Sequence, residues 1–94
     1  MNLPVSFLIQ STKVLKEGNY NNDDLKIIYD FMSTLDNELL NLYNNTCTIL
    51  SYNNDLELSI VIIDSLIQIF EKKEEYEKCG ILLKKKNEAL LIIK

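Results

Sequence analysis

The 94-residue chain contains no histidine, no tryptophan and no arginine, and only two glycines, two cysteines and one proline. Without histidine it lacks the general base that titrates near neutral pH, the usual partner of a Ser or Cys nucleophile, and the commonest metal ligand. Neither Gly18 nor Gly80 lies in a phosphate-cradling G-x-G-x-x-G or G-x-x-x-x-G-K-S/T loop. Carboxylate-only chemistry passes this filter, but it needs a deep cleft, and a domain of this size has little material for one. Cys47 and Cys79 stand 32 residues apart with no C-x-x-C, so neither a zinc cluster nor a disulfide framework can be read from them. The expectation is a protein with no catalytic residue, no metal and no cofactor.

Long apolar runs are missing too. No stretch approaches the 18 or so uncharged residues of a spanning helix, and residues 1–9 lack the basic start of a secretory signal. These features point to an intracellular, cytoplasmic protein with no membrane partner. The scarcity of Gly and Pro, with 47% hydrophobic and 26% charged residues, excludes wholesale disorder and points to one helical domain over 1–94. All ten basic residues are lysine, which weakens a nucleic-acid reading because arginine is the preferred bidentate reader of guanine and phosphate. Together with eleven Asn and twelve Ile, this is the composition of an AT-rich gene, as in a low-GC bacterium, a phage or another virus, or an AT-rich eukaryotic parasite.

What is present is helical periodicity. Pro4 suits a first helical position, Phe7, Leu8, Val14 and Leu15 join Leu3 on one face, and Gly18 suits a stop, giving a helix over 4–17. After an Asn-rich turn in which Asn22 or Asp23 can cap, Leu25, Ile28, Met32, Leu35, Leu39 and Leu42 form a heptad stripe. This predicts one continuous second helix, with 46–53 either a connection or, through Leu50, a continuation of that helix. Asn54 and Glu57 make a capping box for a third helix over 55–72, whose wide apolar arc marks it as the centre of a bundle or half of an oligomer interface. Past the polar corner at 71–75, a fourth helix runs to the end. Tyr76, Cys79, Leu82, Leu83, Leu90 and Ile93 lie on its apolar side, and Gly80 invites a close helix crossing. The expected fold is therefore all-α: an antiparallel up-and-down bundle of about four helices, which homo-oligomerisation could complete.

Four features bear on function. Phe70-Glu71-Lys72-Lys73-Glu74-Glu75-Tyr76-Glu77-Lys78-Cys79-Gly80-Ile81-Leu82 resembles the short helical hairpin of the UVR type, in which an acidic turn, an aromatic and two small residues precede a leucine. The resemblance implies a hairpin used for protein–protein contacts; it covers thirteen residues, and Leu83 stands where the motif has a basic residue. Second, the aliphatic end Ala89-Leu90-Leu91-Ile92-Ile93 must pack against something, either within the chain or on a partner. Third, Tyr20, Tyr43 and Tyr52 fall in Asn-rich connections, where tyrosine serves as a partner anchor or as a lid on the core. Fourth, charge is uneven: residues 1–65 carry net −6 and residues 66–94 net +2, with the triad Lys84, Lys85 and Lys86 the densest basic run.

The reading that follows is a non-catalytic protein–protein interaction module, an adaptor or inhibitor of the kind found among phage and viral accessory proteins. It would bind another protein or a second copy of itself through Ile63, Ile67, Phe70, Tyr76, Leu90, Leu91, Ile92 and Ile93. The alternative is a nucleic-acid-linked regulator, binding through Lys84–Lys86 or mimicking nucleic acid with the acidic 1–65 region.

Overall fold

A computed structural model describes residues 5–93, and among them there are five helices and no strand. The helices are α1 (Val5–Glu17), α2 (Asn22–Ser33), α3 (Asn37–Asn44), α4 (Asp55–Lys72) and α5 (Tyr76–Ile92). The proposed roles of Leu3 and Pro4 at the first helix start lie outside the described residues. Gly18 ends α1 at φ 74°, a left-handed conformation natural to glycine, and lets the Asn19 N–H return to the Val14 carbonyl at 3.2 Å.

The heptad stripe does not run through one helix. It breaks after Ser33, because the Ser33 and Thr34 hydroxyls donate back to the carbonyls of Asp30 and Phe31 and offer the backbone an alternative to another turn. Two residues on, the Asp36 carboxylate accepts the Leu39 N–H at 2.9 Å and starts α3 afresh. The new helix turns a different face inward: Leu40 and Tyr43 are buried, Leu39 is half-buried and Leu42 is exposed. Leu35 seals the corner from inside, and its carbonyl accepts from the Lys85 ammonium fifty residues away. Tyr43 accordingly belongs to the last turn of α3 and not to a connection.

Capping residues also differ by a position. Asn21, rather than Asn22 or Asp23, caps α2, and its reciprocal bonds with Asp24 (2.9 and 3.1 Å) form the complete capping box. At α4 the Asn54 side chain accepts from the Glu57 N–H, the first half of the expected box.

α4 is the centre of the molecule and packs against each of the other four helices. Leu56, Leu58, Ile62, Ile63, Leu66 and Phe70 are all buried along it, each worth about 1.5–3 kcal/mol of apolar burial. Ile63 and Phe70 are thus core residues of this chain and are not available to a partner. The α4–α5 corner closes with Glu74 at φ 61° and with the Glu75 N–H on the Phe70 carbonyl at 2.9 Å. Cys79 faces α4 at this crossing, its thiol 3.5 Å from the Ile67 carbonyl oxygen. Gly80 does not: nothing lies within 4 Å of the place its Cβ would occupy.

Candidate functional site

The connection between α3 and α4 is organised around one carboxylate. Asp55, the first residue of α4, is 1% exposed, and its oxygens accept from the Thr48 N–H (2.7 Å), the Thr46 hydroxyl (2.8 Å) and the Thr48 hydroxyl (2.8 Å). Its own N–H returns to the Thr46 carbonyl at 2.6 Å, and Asn54 and Asn44 join across the loop at 2.9 Å. Tyr43 is buried with its hydroxyl unpartnered among the described residues; burial, and then the Asp55 charge, push its pKa from 10.0 up to about 12. Every acceptor bond of Asp55 goes to its own loop, so this cluster holds the chain together and offers no open position to a ligand.

A groove of about 450 Å³ between α2 and the α4–α5 corner is lined by Lys26, Lys73 and Lys78 facing Asp23, Asp30 and Glu75. Lys78 bonds Glu75 at 3.0 Å and sits over the rings of Tyr29 and Phe70, while Lys73 holds the Asn22 side chain at 2.7 Å. Three lysines against three carboxylates leave the groove little net charge with which to attract an ionic ligand. Among the described residues no group of three or more His, Cys, Asp or Glu side chains is placed to hold a metal, and no helix is long and apolar enough to cross a membrane.

The lysine triad is dispersed. Lys85 reaches the Leu35 carbonyl and Glu88 (3.1 Å), Lys86 pairs with Asp64 of α4 at 2.7 Å, and Lys84 stands exposed. Several acids of the first two-thirds are likewise engaged: Asp24, Asp36 and Asp55 accept backbone amides and Asp64 holds Lys86.

The outer face of α5 is different. The C-terminal aliphatics split: Ala89 is buried, Ile92 and Ile93 are half-buried against the core, and Leu90 and Leu91 (68% exposed) face outward. Tyr76, Leu83 and Leu90 recur every seven residues and are all exposed, Tyr76 at 62%. Gly80 and Asn87 fall between them, also exposed, so the five positions form one stripe at alternating spacings of four and three. Glu77 and Lys84 border it, both exposed and without an ion pair among the described residues.

Of the sequence candidates, the structure brings Tyr76, Leu90 and Leu91 to this face. It buries Ile63 and Phe70 and leaves Ile67, Ile92 and Ile93 half-buried on the core side. Leu83, expected on the inward side, is exposed, and Gly80, expected at a close helix crossing, faces open space. The available signal was the seven-residue spacing of Tyr76, Leu83 and Leu90, which is out of phase with the core set Leu82, Ala89 and Ile93. Leu50, 97% exposed at the tip of the α3–α4 loop, is a further apolar residue with no neighbour to explain it. No protein-family model matches the chain, and neither a curated protein nor a solved structure is significantly similar to it.

Proposed function

We propose that this chain is a non-catalytic protein-interaction module that docks through the outer face of α5. The supporting observation is that α5 carries a second apolar stripe, Tyr76–Leu83–Leu90 with Leu91, on the side its own core does not use. An exposed row of large side chains at coiled-coil spacing is chemistry suited to another helix. A tyrosine at its start adds an anchor of the kind that dominates interface energetics. The nucleic-acid alternative has less behind it, since two of its three lysines are already held by Leu35, Glu88 and Asp64.

The reading is tested with a photoreactive amino acid placed at position 83 in cells that express the chain, with position 13 on α1 as the control. Covalent adducts at 83 and none at 13 are expected. Equal labelling at both positions, or no adduct at 83, would refute the assignment of this face.

A further inference from the structure

Gly80 is the odd residue of α5. Mid-helix glycine costs roughly 1 kcal/mol against alanine, and here neither a left-handed φ nor any neighbour in the chain requires it. A stripe of large side chains with a gap at its second position is a surface shaped for something that fills the gap. We infer that the occupant is a second copy of the chain, with α5 packed antiparallel on the partner's α5 about a twofold axis between residues 81 and 82. This rests on the interaction-module reading and adds the partner's identity and orientation.

The argument is self-complementarity. About that axis Leu83 lies over the space beside the partner's Gly80, and the partner's Leu83 returns the contact on Gly80. Tyr76 comes opposite the partner's Asn87, so that the phenol meets an amide able to hydrogen-bond it within an otherwise apolar seam. Glu77 comes beside the partner's Lys84, and the twofold makes this ion pair twice from two groups that have no ion pair within the described chain. A parallel pairing sets Gly80 against the partner's Gly80, leaves a void in that layer, and places no opposite charge beside Glu77 or Lys84. A seam of about three turns is small, so the pairing belongs to the weak, reversible class.

The experiment is sedimentation equilibrium of the full chain from about 1 µM to about 500 µM. The expected result is a reversible rise from 10.9 kDa to twice that mass. Leu83→Lys, at an exposed position that the fold does not need, should leave a monomer of unchanged helicity. Glu77→Lys and Lys84→Glu should each weaken association by about tenfold, and the double swap should restore it. Positions 77 and 84 are two turns apart on one helix, too far for side-chain neighbours, so such rescue has to pass between chains. Gly80→Ala should raise the thermal midpoint of the dilute monomer while weakening the dimer. A monomer at every concentration would overturn the self-pairing, yet adducts of other mass at position 83 would leave the interaction reading standing. A dimer indifferent to Leu83→Lys would overturn both, and failure of the double swap to restore association would overturn the antiparallel arrangement.

Discussion

Replacing Asp55 by alanine tests whether the α3–α4 loop is held as the geometry implies. The substitution removes the acceptor of three short bonds, from the Thr48 N–H and from the hydroxyls of Thr46 and Thr48. Hydrogen bonds to a charged acceptor are worth about 1.5–3 kcal/mol each. The two hydroxyls can turn to water once the loop loosens, so their share is smaller than that of the backbone amide. Loss of a carboxylate at a helix N-terminus adds about 0.5 kcal/mol, and relief of the desolvated charge offsets part of the total. The net cost is about 3 kcal/mol, against a stability for a domain of this length of about 5–14 kcal/mol.

The assay is urea unfolding followed by far-ultraviolet circular dichroism. With a denaturant slope of about 1 kcal/mol/M, the midpoint should fall by about 3 M. Asp55→Asn keeps one acceptor oxygen for the Thr48 N–H and should lose about half as much. A midpoint lowered by less than about 1 M in the alanine variant would show that the loop is held by something else. Equal losses in the two variants would show that the negative charge, rather than the set of bonds, is what the site requires.

Other expectations follow from single residues. Tyr43→Phe removes a buried hydroxyl with no partner and should stabilise the domain by about 1 kcal/mol in the same urea assay; a loss of that size would mean the hydroxyl is bonded. Because the folded Tyr43 pKa of about 12 lies above the unfolded 10.0, its contribution is complete below pH 10. Between pH 10 and 12 the unfolded chain loses this proton first, so stability falls by about 1.4 kcal/mol per pH unit; the fall should be absent from the difference curve of Tyr43→Phe. Glu74→Gly relieves a left-handed conformation that costs an L-residue about 1–2 kcal/mol, and a higher thermal midpoint is expected by calorimetry. Ile63→Asp puts an unpaired charge in the fully buried core of α4 and should abolish the cooperative unfolding transition; a wild-type melt would misplace that core.

Where the pattern and the local chemistry agree, the fold is legible. The third helix expected over 55–72 coincides with α4, since an eighteen-residue run without a breaker leaves helix as the one element that fits, and its wide apolar arc requires burial on several sides. Periodicity alone does not locate the second helix's end. Leu25 to Leu42 keep heptad spacing, yet Ser33, Thr34 and Asp36 are the residues whose short side chains compete with the backbone, and in this chain they stop α2 and start α3. The Asp55 network was equally out of reach. Thr46 and Thr48 look like poor helix formers in a connection, and nothing in spacing alone says that both hydroxyls meet one carboxylate.

The face proposed for docking was half legible for a related reason. Leu82 and Leu83, like Leu90 and Leu91, are adjacent leucines, and adjacent side chains on a helix point about 100° apart. The core takes Leu82 of the first pair and neither leucine of the second. Leu82 and Ala89 go inward, which obliges Leu83 and Leu90 to go out, and the same rotation carries Gly80 outward and Cys79 inward. The glycine sharpens the point, because at an exposed mid-helix site alanine is the stabler residue, and nothing in the isolated chain favours glycine there. On the proposed pairing the cost of Gly80 has its counterpart in the partner's Leu83, and measuring Gly80→Ala on dilute monomer and on concentrated protein separates the two.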